Sequence, residues 1–295
     1  MEVEIKKLDK LKRKIKVEVN GEEFLKERKE AYHQNSKNLK VPGFRPGTAP
    51  LEILEKHHGD FLKNEFLKKS LPIFYQKALE ENNIVPAGNP DISGIEFKPQ
   101  ALFFSAEFEV KPEIEIKESI YKGIKIKSHK AEVKEIEIEK ILTNLKEGIK
   151  KSLNKDLDDD NIAKWAAYPN AAELRESIKA QLFLEKSRQR RQNIDSQVKE
   201  HLLKSVKVDL PEGEVQRHHR ELVDRESYNL RVKGVSQEDI DKYKKDLESK
   251  LQEPAREDIK LFYILEAIAR AESIEVNDSL GDAVLGLVLS QAKYE

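Results

Sequence analysis

Apolar residues in this chain recur with two different periods, and the change between them divides it. Over about 2–8 and 11–19 they alternate with charged residues, in VEI and then KIKVEV, the signature of half-buried strands. The alternation returns over about 91–97 (DISGIEF) and 101–110, around LFFSAEFEV. From about Val133 onward, apolar positions fall three and four apart, as in helices that bury one stripe. A uniform fold is thereby excluded. The pattern predicts an α+β N-terminal domain, with an antiparallel four-stranded sheet and packed helices, followed by an all-α C-terminal domain of long helices.

The segments between these runs sharpen the outline. A tight turn is expected near Asp9 and Lys10, and Asn20 is placed to cap a helix running to about Lys40. Pro50 suits the first residue of a short helix that Gly59 stops, and a longer helix over 60–82 should kink at Pro72. A turn cluster, IVPAGNP, follows, and the last two strands hinge at 98–100. We therefore divide the chain into the α+β domain 1–112, an extended connector and first long helix over 113–150, and the helical domain 151–295. Ile136, Ile138, Ile141, Leu142 and Leu145 form the stripe of that first helix. KKSLNKDLDDDN (150–161) reads as a charged loop. A long helix, about 170–206, is interrupted by EKSRQRRQN, polar all round, and there it should meet solvent or line an open cleft. Helices over about 211–231 and from Ser236 follow, the latter kinked or split at Pro254. A last helix is capped by Asn277 and Asp278.

Composition supports long, solvated helices: 38% of residues are hydrophobic and 37% charged, with a mean hydropathy of −0.70. The net charge of −1 gives no global field toward nucleic acid or membrane. Residues 1–70 carry 17 Lys and Arg against 12 Asp and Glu, an asymmetry that solvated helix faces also explain. The chain has no cysteine, which excludes disulfides and thiolate chemistry. It opens on alternating charge, not on an apolar leader, and no apolar run approaches membrane-spanning length. A soluble, cytoplasmic protein without a membrane partner is expected.

Catalytic signatures are missing. No phosphate-binding glycine loop and no nucleophile elbow occur. The pairs His57–His58 and His218–His219 lack the spacing of a zinc set, and LDDDN (157–161) lacks the glycine and glutamate of a calcium loop. No metal and no cofactor is expected. The basic run KSRQRRQ (186–192) lacks the interleaved aromatics of an RNA surface, and a solvated helix face explains it better.

One stretch stands apart: VPGFRPGTAP, residues 41–50. Pro42 and Pro46 push the residues before them out of the helical region, and Gly43 and Gly47 permit positive φ. A stiff, doubly turned loop results, with Phe44 and Arg45 at its tip. Stiffness lowers the entropy lost on docking, Phe offers apolar area, and Arg offers a planar fork for phosphate or carboxylate. Spacing alone leaves two readings equally open. The loop is a docking hook, or it is a connector whose Phe44 packs on its own domain.

GFRPGTAP closely resembles the ribosome-docking signature of the trigger factor family of bacterial nascent-chain chaperones. The match runs through Gly43, Phe44, Arg45, Gly47 and Pro50. VPAGNP (85–90), FEVKPEIEI (108–116), LRESIKAQL, VDLPEGEV and ILEAIARAESIEVND resemble later segments of the same family. The resemblance implies that residues 43–50, with Pro46 among them, dock on the large ribosomal subunit beside the exit tunnel, touching protein and rRNA. It implies a helical domain shaped as a cradle with arms, whose apolar faces within 133–295 hold nascent and unfolded polypeptides without ATP. Family members self-associate, so a weak homodimer is implied as well. Two departures follow. The prolyl-isomerase domain of FKBP type, on the order of 100 residues, has no counterpart between about Gly148 and Asn161, so no isomerase activity is expected. And Thr48 stands where Lys is common, removing one cation from the docking loop. The alternatives are a ribosome-independent holdase or assembly factor using the same cradle, a prolyl isomerase, and an RNA-binding protein using the basic N-terminal part.

Overall fold

The computed structural model describes residues 1–36, 39–45, 48–153, 157–277 and 279–295. Its contacts group the chain into two compact units, one formed by Met1–Ile114 with Val208–Lys260 and the other by Glu115–Lys207 with Leu261–Glu295. These groups cut across the segments 113–150 and 151–295 drawn from the sequence.

In the first unit, β1 (Glu2–Lys7), β2 (Lys12–Asn20), β3 (Asp91–Lys98) and β4 (Ala101–Glu109) form an antiparallel sheet in the order β1-β2-β4-β3. The period-two pattern sets its faces. Ile15, Val17 and Val19 on β2 lie opposite Ala106, Phe104 and Leu102 on β4, and all six are buried. On the other face Lys14 meets Glu107 at 2.7 Å and Lys16 meets Glu4 at 3.2 Å. Gly94, at φ +62°, sits where the β3 register shifts, as a bulge requires.

Two helices cover the apolar face. In α1 (Gly21–Ser36), Phe24, Ala31 and Tyr32 are buried; in α2 (Leu51–Glu81), Leu62, Phe66 and Phe74. The rings of Phe24, Phe66 and Phe97 meet at centroid distances of 5.6 to 5.8 Å. The Arg28 guanidinium lies over Tyr32 and Phe97, donates to the Pro99 carbonyl at 2.6 Å and pairs with Glu55.

Two local expectations, for Asn20 and Pro72, are corrected here. Asn20 does not leave the sheet to cap α1. It pairs with Ala101, its amide donates to Glu18, and Gly21 turns the chain with φ +66°. The break expected at Gly59 is present: α2 is two helical runs joined across a kink at His58, the residue before it, whose φ is −137°. Pro72 lies within α2 without a non-helical residue beside it.

α7 (Glu212–Val232) and α8 (Gln237–Ala271) follow in sequence. Within the first unit, the start of α7 meets the sheet through polar groups. Gly213 N–H donates to Glu109 Oε2 at 2.8 Å and Lys10 pairs with Asp209 at 2.9 Å. A Cβ on Gly88 would come within 3.3 Å of the Arg217 guanidinium, so GNP in the turn cluster gives that arginine room. Both members of the second histidine pair bridge toward α8, His218 to Asp258 at 3.1 Å and His219 to the Glu248 carbonyl at 2.7 Å. Pro254 neither splits nor ends α8.

The second unit contains α3 (Glu118–Tyr121), β5 (Lys125–Ile126), α4 (Glu135–Leu153), α5 (Asp159–Trp165), α6 (Ala171–Ser205), α8 from Leu261 on, α9 (Leu280–Ser290) and β6 (Lys293–Tyr294). Ile138, Leu142 and Ile149 of α4 pack with Ile162, Leu174 and Ile178. The expected α4 stripe was too wide: Ile136 is 74% exposed and Ile141 is also exposed. The acidic "loop" holds α5. Asp158 caps it by accepting from Asn161 N–H at 2.8 Å, and Asp159 and Asp160 sit in its first turn, where carboxylates suit the helix dipole. The polar middle of α6 is not bare either. Lys186 reaches the Glu132 carbonyl and Glu137, and Arg190 donates to Ser128. β5 and β6 pair in parallel: β5 lies in the stretch expected to be an extended connector, and β6 in the domain expected to be all helix. Asp278 of the expected last cap lies outside the described residues. Ser279 precedes α9, its hydroxyl donating to Asn277 Oδ1. Among the described residues no helix is long and apolar enough to cross a membrane.

Candidate functional site

The loop between α1 and α2 is held from inside and open outside. Val41 is 5% exposed and belongs to the sheet-and-helix core, with Leu39 and Ala49 packed against that core on either side. Val41 to Phe44 make one turn: Phe44 N–H donates to the Val41 carbonyl at 3.1 Å, with Pro42 second and Gly43 third at φ +83°. Proline followed by a glycine at positive φ is what a type II turn requires. A Cβ on Gly43 would touch nothing within 4 Å, so the glycine serves the backbone angle and not the space.

Phe44 and Arg45 follow directly, and both are exposed, Phe44 by 39%. Phe44 is not part of the core; Val41 fills that place. No carboxylate pairs with Arg45 among the described residues. Thr48 has a use of its own: its N–H and its Oγ1 both reach the Arg45 carbonyl, at 3.0 and 2.7 Å. Pro50 is exposed and forms the N-cap of α2, its carbonyl accepting from Ile53 and Leu54. His58, at the break in α2, hydrogen-bonds the Lys40 carbonyl at 3.0 Å and ties down the near side of the loop. Pro46 and Gly47 lie outside the described residues. The structure thus brings Gly43, Phe44, Arg45 and Pro50 onto one short segment. Val41 and Thr48 escaped the sequence reading, although an apolar residue just before the first Pro-Gly was a usable sign of an anchor.

Large apolar side chains are also exposed on the helices: Tyr228, Val232 and Tyr243 in the first unit, and Ile136, Trp165, Phe183 and Leu184 in the second. Among the described residues no group of three or more His, Asp or Glu stands close enough to hold a metal ion.

Two family models match the chain. One, described as bacterial trigger factor protein, covers residues 1–145, and the other, described as bacterial trigger factor protein C-terminus, covers 170–280. The chain belongs to the trigger factor family. The trigger factor of Natranaerobius thermophilus is 39% identical over 144 residues, 48% of this chain and 32% of that protein. The trigger factor of Clostridium kluyveri is 30% identical over 168 residues, 55% of this chain and 39% of that protein. The match thus spans only about a third of these relatives' own length. A solved structure described under the words "Promiscuous Substrate Recognition in Folding and Assembly Activities of the Trigger Factor Chaperone" aligns with a TM-score of 0.57 and 16% identity. It covers 98% of this chain and 94% of the other, and the likeness is one of fold. In this chain, residues 146–169 separate the two matched stretches, and they hold the end of α4 and α5. A further domain of about 100 residues does not fit there.

Proposed function

We propose that this protein is an ATP-independent chaperone that docks on the large ribosomal subunit near the tunnel exit through Gly43, Phe44, Arg45, Pro46, Gly47 and Pro50. The observation that carries the reading is the exposed Phe44–Arg45 pair on a loop anchored by buried Val41. A preformed tip loses little entropy on binding, and its exposed guanidinium suits phosphate or carboxylate. Residues 1–112 serve as the ribosome-binding domain, 113–150 as connector and first helix, and 151–295 as the client-binding domain. Exposed apolar side chains flanked by charge, such as Phe183 and Leu184, hold nascent and unfolded polypeptides weakly and without strict sequence demand. The protein works in the cytoplasm and without prolyl-isomerase activity, and it self-associates weakly through the same apolar patches.

Co-sedimentation with ribosomes tests the docking. The intact chain should pellet with ribosomes, and a variant with Phe44, Arg45 and Pro46 all changed to Ala should stay in the supernatant, with an affinity at least about tenfold lower. Equal pelleting of both would make the loop a connector.

A further inference from the structure

A cleft in the second unit has a chemistry that general client holding does not use. It lies between α6 and α9 and measures about 460 Å³, within the size range of ligand pockets. Its floor is apolar, from Ile194, buried, and Leu289, half-buried. Gly286 keeps it open, since a Cβ there would meet nothing within 4 Å. Its rim is cationic: Arg190 and Arg191 line it, with Tyr294 beside them, and among the described residues no carboxylate does. Arg191 uses its Nε for Asp195, at 3.2 Å. Arg190 uses its Nε for the Ser128 hydroxyl, at 2.8 Å, and among the described residues no carboxylate pairs with it. A guanidinium engaged through Nε still offers its terminal N–H groups to a carboxylate.

We propose that this cleft binds acidic-apolar segments of unfolded polypeptide. One aliphatic or aromatic side chain lies on Ile194 and Leu289, and carboxylates on either side of it meet Arg190 and Arg191. This rests on the client-holding reading and adds a charge preference to it. Charge complementarity selects the occupant. The apolar floor has no use for a nucleic acid backbone, and Lys186, the neighbouring cation, is already taken by Glu137.

Fluorescence anisotropy on the intact chain tests it, with two labelled peptides, ELEFELE and its lysine counterpart KLKFKLK. The acidic peptide should bind at least about tenfold more tightly, with an advantage that shrinks as salt is added. Arg190→Glu with Arg191→Glu should weaken the acidic peptide about tenfold and spare or strengthen the lysine peptide. Gly286→Phe should weaken both, and because the site has room its circular dichroism and Tm should match the parent. If the charge reversal disturbs the fold, Arg190→Gln with Arg191→Gln should still reduce the preference. Equal binding of the two peptides, or variants that leave both affinities unchanged, overturns the proposal. So does a single-stranded oligoribonucleotide that displaces the acidic peptide through the same arginines and binds more tightly, which would make the cleft a nucleic-acid site. Suppression of client aggregation is read in parallel. If the intact chain suppresses none yet prefers the acidic peptide through Arg190, the chaperone reading falls and the cleft stands. If suppression is intact and the preference absent, the cleft falls alone.

Discussion

Tyr75 and Tyr121 are both buried, and their hydroxyls meet different surroundings. Tyr121 donates to Glu272 Oε1 at 2.6 Å, and Lys122 reaches the same oxygen at 2.8 Å. Burial, and then the Glu272 carboxylate, push the Tyr121 phenol up to about 12. Among the described residues the Tyr75 hydroxyl has no hydrogen-bond partner, and burial alone pushes it up to about 12. An unsatisfied buried hydroxyl costs stability, whereas a satisfied one contributes. Tyr75→Phe should therefore raise stability by about 1 kcal/mol and Tyr121→Phe lower it by about 1 kcal/mol, both read from urea denaturation midpoints. A raised phenol contributes stability that is fully present below its ordinary value of 10.0 and lost as pH rises through about 12. Alkaline titration of the fold should show that loss, smaller in Tyr121→Phe. The carboxylates run the other way. Lys77 holds Glu23 below its ordinary value of 4.5, as Lys122 holds Glu272. Their contribution is present above that value and lost as pH falls below it. At this scale the buried strand residues were legible from alternation, whereas spacing left Phe44 open between an exposed tip and a residue packed on its own domain, and the structure exposes it. Ile136 and Ile141 were misplaced because a helix stripe read from spacing is wider than the face its neighbours cover.

Prolines divide the element scale into what spacing can and cannot say. Pro72 and Pro254 both sit inside long helices, and neither ends its helix. Packing overrides the local rule. Leu71 is buried just before Pro72 and Phe74 and Tyr75 just beyond it, and Ala255 is buried just beyond Pro254, so packing holds the chain beside each proline. The missing N–H and the ring clash remain a cost. Pro254→Ala should thus raise stability by about 1 kcal/mol or more, seen as a higher midpoint in chemical denaturation. The break near Gly59 was legible, because glycine marks the place where helical order is least favoured. α5 was not, because a run of acids reads as solvated loop until Asp158 is recognised as a cap. β5 lies in the stretch expected to be extended, but its pairing was not legible, because β6 lies far away in sequence and is too short to carry a period.

The whole molecule was legible in its order and not in its grouping. The switch from period two to a helical period gave the α+β part before the helical part. That residues 208–260 group with 1–114 left no trace in the pattern, since Lys10–Asp209, Glu109–Gly213 and Gly88–Arg217 are polar or steric contacts without periodicity. The buried core of the sheet and its helices, from Ile15 to Phe108, draws on nothing from 208–260. A fragment of residues 1–114 should therefore fold alone, with a dispersed amide spectrum and one cooperative unfolding transition; a collapsed spectrum would show that 208–260 completes its fold. The central claim concerns the tip of the loop in that same part. A photo-crosslinking amino acid placed at position 44 of the intact chain, irradiated with purified ribosomes, asks directly what the tip touches. The account predicts crosslinks to large-subunit components beside the tunnel exit, lost when Arg45 is also changed to Ala. Crosslinks only within the chain itself, or none that depend on ribosomes, would contradict it.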